Sequence, residues 1–170
     1  MKIKSRFLLL MAFGLCLFIS GTVAAQKKII VLVRHSEKDV SVANNPDPDL
    51  STEGRERALR LIKLVNKYRP SEIFSTNYKR TRQTAEPIAA KRKKEIQTYD
   101  PAKAAEMVTK MLESKTGRYL IVGHSNTIPA LANLLAKKEV FRNLLETEYG
   151  VLWVIRLKKG LVTKVEVFPY

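Results

Sequence analysis

Apolar positions along the chain follow two periods. Residues 28–33, KIIVLV, and 119–122, YLIV, are almost unbroken apolar runs, the pattern of strands covered on both faces in a parallel sheet. Between them the spacing turns helical. Ala58, Leu61, Ile62 and Val65 fall on one helix face, with Ser51 or Thr52 placed to cap its start. Residues 72–75, EIFS, read as a short strand, 79–91 as a helix and 95–99, EIQTY, as a third strand. Pro87 marks either a kink in that helix or a late start to it. Asp100-Pro101 then opens a helix with Ala104, Met107, Val108 and Met111 as its buried stripe. Past the 119–122 strand, Ile128, Leu131, Leu134 and Leu135 give another helical face, with Pro129 in its first turn. Residues 151–157 and 161–168 read as two strands joined by a tight turn at KKG. The one long loop is 39–50, rich in Asn, Asp and Pro. The sum is an α/β fold, a three-layer sandwich with a mostly parallel central sheet flanked by helices and a C-terminal β-hairpin.

The first 25 residues stand apart. Lys2, Lys4 and Arg6 precede an apolar run from Phe7 to Ile19, and small residues up to Ala25 follow it. That three-part layout predicts a signal peptide over 1–25, hence an exported protein, periplasmic or secreted, with 26–170 as its single domain. An uncleaved N-terminal anchor is the alternative, although 13 apolar residues fall short of the ~20 that a membrane span needs. The only cysteine, Cys16, lies in this segment, so the domain has neither a disulfide nor a thiolate metal site.

The formal net charge is +15, which raises affinity for anions of every kind, phosphorylated substrates included. No basic stretch is interleaved with aromatics, so specific nucleic-acid binding is not expected.

Three polar clusters fall where an open α/β sheet places its ligands, beyond the carboxyl ends of the strands. They are Arg34-His35 after the first strand, STNYKRTRQTA (75–85) after the second, and GHSNT (123–127) after the 119–122 strand. Both histidines of the protein thus land on one rim, with arginines between them in sequence. Such a set suits phosphoryl transfer. A neutral imidazole attacks phosphorus, arginine forks hold the equatorial oxygens, and a protonated second histidine adds a donor. Backbone N–H groups of the helix after Gly123 supply more. No metal and no cofactor are expected. GHSNT also touches the G-x-S-x-G pattern of serine hydrolases, but it ends in Thr127 and no histidine follows Ser125.

Arg34-His35, RTRQTAE at 80–86 and GHSNT resemble, in order, the three signatures of the histidine phosphatase superfamily, which includes the phosphoglycerate mutases and many phosphatases. LSTEGRERA (50–58) resembles the segment that follows the first signature in those proteins. The resemblance implies His35 as nucleophile, with Arg34, Arg80 and His124 cradling the phosphoryl group and Ser125 adding a phosphate contact. Arg80 rather than Arg82 takes the family's position, and Arg82 reads as a surface helix residue. Many members continue the first signature with Gly where this chain has Ser36. Larger members also carry an insertion after the third strand that closes over the substrate. Only a short stretch, mostly one helix, separates Lys94 from Arg118 here, so an open site is expected, closer to the bacterial phosphohistidine phosphatases than to the mutases.

A phosphatase acting through a phosphohistidine at His35, on a small phosphorylated substrate or a phosphoprotein, is the resulting expectation. A phosphate- or polyanion-binding module on the same fold and a phosphomutase are the alternatives. Two carboxylates compete as general acid. Asp100 ends the third predicted strand but also suits an N-cap, and Glu37 lies near the nucleophile in sequence but also suits an ion pair. Glu148 and Tyr149 are placed either to line the pocket or to make loop contacts.

Overall fold

The computed structural model describes residues 26–170; the signal-peptide reading of residues 1–25 lies outside the described residues. The elements are β1 (Lys27–Arg34), α1 (Thr52–Asn66), β2 (Glu72–Ser75), α2 (Lys79–Arg92), β3 (Ile96–Thr98), a 3₁₀ turn (Pro101–Lys103), α3 (Ala104–Glu113), β4 (Arg118–Gly123), α4 (Thr127–Ala136), β5 (Val151–Lys158) and β6 (Leu161–Pro169). All six strands form one sheet in the order β3-β2-β4-β1-β5-β6. The first four run parallel, while β5 runs antiparallel to β1 and to its hairpin partner β6. Lys159 and Gly160 make the hairpin turn, both at positive φ, the backbone that matches the twist of flanking strands.

The unbroken apolar runs have the expected cause. Ile30 and Leu32 of β1 point into one core with α3, α4, Trp153 and Ile155. Val31 and Val33 point into the other, with Leu61 and Val65 of α1 and Ala85 and Ile88 of α2. Each face of the sheet is therefore covered by two helices, giving three layers.

Three local expectations change. Asp100-Pro101 opens a 3₁₀ turn, and the α-helix starts only at Ala104. The Asp100 carboxylate accepts from Ala102 N at 2.9 Å, which tightens the chain at that point. On α4 the buried stripe is Ile128, Leu131, Ala132 and Leu135, while Leu134 is 41% exposed. The i, i+3, i+4, i+7 face takes the small Ala132 and leaves Leu134 about 100° off it. Finally, α2 runs through Pro87 to Arg92, which removes the late-start alternative.

The start of α1 is fastened to the end of β1. Ser51 caps the helix by accepting from Gly54 N at 3.1 Å, and Ser51 N donates to the Glu37 carbonyl at 3.0 Å. Gly54 lies so close that a Cβ there would collide with that same carbonyl. Gly54→Ala is expected to cost about 1–3 kcal/mol, because backbone must shift to admit the methyl group. Urea unfolding measures this, and an unchanged midpoint would refute the close approach.

Candidate active site

β1 and β4 lie side by side and parallel, with Arg34 opposite Gly123. His35 and His124 follow these residues, and His35 N donates to the Gly123 carbonyl at 2.8 Å. Their rings meet edge to face, centroids 5.4 Å apart. Both line a cavity of about 390 Å³ together with Arg34, Arg80, Ser125, Lys38, Tyr78 and Glu146. All four residues read as nucleophile and cradle, and Ser125, thus meet in one place. Pro101 reaches the same cavity from the 3₁₀ turn.

His35 is buried, and its Nδ1 lies 2.8 Å from the Ser36 carbonyl. A carbonyl only accepts, so Nδ1 carries the hydrogen and the lone pair sits on Nε2. Burial is the largest influence on its charge and lowers its pKa to about 3; the Ser36 carbonyl opposes this, and His124, Arg34 and Arg80 reinforce it. The ring is therefore neutral and nucleophilic at neutral pH.

His124 is lowered to about 4, first by burial and then by Arg80 and Arg34. Its Nε2 lies 2.9 Å from the Thr76 hydroxyl. The Thr81 hydroxyl donates to the Tyr78 carbonyl at 2.8 Å, so the 3.0 Å contact between the two threonines needs Thr76 as its donor. Thr76 then only accepts from His124, which places the neutral ring's hydrogen on Nε2. A second proton would enter at Nδ1.

Arg34 is 1% exposed. It donates to the carbonyls of Leu145 at 2.6 Å and Glu148 at 3.3 Å, and lies 4.2 Å above the Tyr149 ring. Its Nη2 donates to the Glu146 carboxylate at 3.2 Å, and that glutamate is 73% exposed. Arg80 is flanked by Asp47 of the 39–50 loop at 3.6 Å and stacks on the Tyr78 ring. Asp47 also accepts from Lys79 N at 2.9 Å, capping α2, whose own N-cap residue Tyr78 makes no side-chain cap bond.

Neither carboxylate named as general acid lines this cavity. Arg57 Nε donates to both oxygens of Glu37, at 2.8 and 2.9 Å. Burial favours the neutral form of Glu37, but these bonds and the Arg57 charge outweigh it and lower its pKa. Asp100 is the cap of the 3₁₀ turn and borders neighbouring cavities instead. Glu148 is bound by Arg142 through two bonds of 2.8 Å, whereas Tyr149 packs 5.9 Å from the His35 ring. Sequence reasoning missed Glu146. Glu146 stands two positions before Glu148, and nothing in the spacing separates the two. Arg82 lies at the surface, 3.5 Å from the Thr98 hydroxyl.

The histidine phosphatase superfamily (branch 1) model matches residues 30–103, a stretch that holds Arg34, His35 and Arg80 and stops before His124. Among solved structures, the fold is similar to a candidate alpha-ribazole-5'-P phosphatase from Escherichia coli, with a TM-score of 0.67 at 12% identity, covering 84% of this chain and 96% of that one. It is also similar to mycobacterial glucosyl-3-phosphoglycerate phosphatase in complex with VO3, with a TM-score of 0.66 at 14% identity over 84% and 98% of the two chains. A candidate phosphohistidine phosphatase SixA from Agrobacterium tumefaciens gives 0.61 at 18% identity over 82% and 97%. No curated protein matches the chain in sequence.

Two predictions follow from the charges at this site. Both histidines hold folded pKa values below the ordinary 6.5, so in acid the unfolded chain binds protons that the folded chain refuses. Stability is expected to fall as pH drops from 6.5 towards about 4 for His124 and about 3 for His35. Urea midpoints across this window test it, and His124→Gln should flatten the slope. Second, Glu146 occupies an arginine donor that a phosphate oxygen would use. Glu146→Gln should tighten competitive inhibition by orthophosphate about three- to fivefold, the scale of an exposed ion pair; weaker inhibition would refute the competition.

Proposed function

We propose that the chain is a histidine phosphatase, as the family model matching residues 30–103 supports, and that it hydrolyses phosphomonoesters or phosphohistidine through a covalent phosphohistidine at His35. The observation that carries this reading is the His35 ring, held neutral with its Nδ1–H on the Ser36 carbonyl and set in one cavity with Arg34, Arg80 and His124. In the first step Nε2 forms a bond to phosphorus while the bond to the leaving oxygen or nitrogen breaks. The ring becomes an imidazolium whose Nδ1–H the Ser36 carbonyl stabilises. In the second step water attacks phosphorus, the P–N bond breaks, and the ring returns to its neutral form. Arg34 and Arg80 hold the charge on the equatorial oxygens in both steps. A phosphate dianion also favours protonation of His124 at Nδ1, making it a further donor. No metal or cofactor is needed for either step.

The substrate class follows from the leaving group. Glu37 is locked to Arg57, Asp100 caps a turn, and Glu146 is held beside two cations, Arg34 and Lys38. Glu37 and Asp100 thus lie outside the cavity and Glu146 is engaged by cations, so none of the three is placed to serve a departing alkoxide. Aryl esters and phosphohistidine, whose leaving groups depart with little acid assistance, suit such a site. The reading of residues 1–25 adds that the enzyme works outside the cytoplasm.

The test is one assay series on an aryl and an alkyl phosphate in the presence of a chelator. Wild type should favour the aryl ester by about 10²- to 10⁴-fold, the contribution of a general acid. His35→Ala should abolish turnover of both while remaining folded. Turnover by that variant at the wild-type rate would overturn the mechanism. A stable phosphoryl adduct on wild-type His35 without release would instead favour a binding module.

A further inference from the structure

The sheet has a second end. β1 spans about 23 Å at 3.3 Å per residue, and the far side of the sheet from His35 gathers the amino ends of β1 and β4 and the β5–β6 turn. Lys27 pairs with Lys158 there, and Ile29 with Arg118. An open cavity of about 500 Å³ at this end is lined by Lys67, Arg69, Arg118 and Arg156, with Glu166 as the one carboxylate. Glu166 is taken by Arg156 at 3.1 Å and by Lys164 at 2.8 Å. Lys67, Arg69 and Arg118 form no ion pair among the described residues. All three are exposed.

Helix dipoles do not account for this cluster. A cation at a helix C-terminus answers the partial negative charge there, which covers Lys67 after α1. Arg118 starts a strand, Lys158 ends one and Lys159 lies in the hairpin turn, where no such charge exists. We propose that this end of the molecule docks on an anionic phospholipid surface.

Two observations favour a bilayer over other polyanions. Leu161 projects 65% exposed at the same hairpin turn, two positions after Lys159, the apolar-plus-basic arrangement that settles at a headgroup boundary. The aromatic residues of the cluster are not free to stack on bases: Tyr68 is buried, and Lys67 lies over both Tyr68 and Phe168. Docked this way, the enzyme turns its cavity away from the bilayer, towards soluble substrate.

The experiment is sedimentation of the full chain with vesicles of phosphatidylcholine alone or with one third phosphatidylglycerol. Binding should be at least about tenfold stronger to the anionic vesicles and should fall steeply between about 50 and 300 mM salt. The variant Lys67→Glu/Arg69→Glu/Arg118→Glu should lose about a hundredfold in affinity for anionic vesicles. It should keep the wild-type rate of aryl phosphate hydrolysis, which also shows that it is folded. Arg55→Glu/Arg60→Glu, a reversal on the outer face of α1, should lose far less. Equal binding to neutral and anionic vesicles would overturn the proposal, as would equal losses in the two variants. Tighter binding to duplex DNA than to anionic vesicles at equal phosphate would overturn it in favour of nucleic acid.

Discussion

Because β1 and β4 run parallel as neighbours, whatever follows each strand emerges at the same edge of the sheet. Their register sets Arg34 against Gly123, and the hydrogen bond from His35 N to the Gly123 carbonyl extends that ladder one step beyond β1. Neighbouring strands lie about 4.8 Å apart, so two histidines at matching positions must come close. The 5.4 Å between their rings is this spacing carried into the side chains. The burial that makes both strands apolar also keeps both rings neutral. Packing and nucleophilicity therefore have one cause.

The polar letters around the histidines hold this arrangement in place. Thr84 of α2 accepts from Ser36 N at 2.9 Å and donates to the Arg80 carbonyl at 2.7 Å, tying the loop after His35 to the helix that carries Arg80. Gln83 accepts from Leu50 N at 2.8 Å and donates to Asp49 at 2.6 Å, fixing the end of the long loop. Thr81 reaches His124 through Thr76. The stretch RTRQTA thus contributes one cavity-lining arginine, Arg80, and three fasteners. Its recognisable spacing reflects a helix whose successive faces meet three different loops.

This explains what could be read from the sequence and what could not. Strand β2 occupies the expected residues 72–75, and the two-faced burial of β1 follows from its composition alone. The meeting of Arg34, His35, Arg80 and His124 in one cavity was legible because these residues sit at strand ends and helix starts, which hydrophobic period locates. Carboxylates were not, because their roles depend on distant partners. Glu37 is committed to an arginine twenty positions away. Glu146 reaches the cavity through an irregular segment with no period to read. That segment is fixed by buried Asn133, whose amide accepts from Val140 N and Phe141 N and donates to the Phe141 carbonyl. The bond from Leu144 N to the Ser125 carbonyl fixes it further. Leu134 failed for a smaller reason: hydrophobicity was counted where angular position decides.

The same sheet direction sorts the cations near its two ends into two kinds. At the carboxyl ends the cations are few and shielded. Arg34 is buried and bound by carbonyls, so its position is set before any anion arrives and its field is little weakened by salt. At the amino ends Lys67, Arg69 and Arg118 are exposed and form no ion pair among the described residues, so they act at longer range and lose strength as salt rises. A total charge does not distinguish cations fixed in a buried cavity from cations spread over an open surface. Burial does, and burial here follows from which end of the strands a residue occupies.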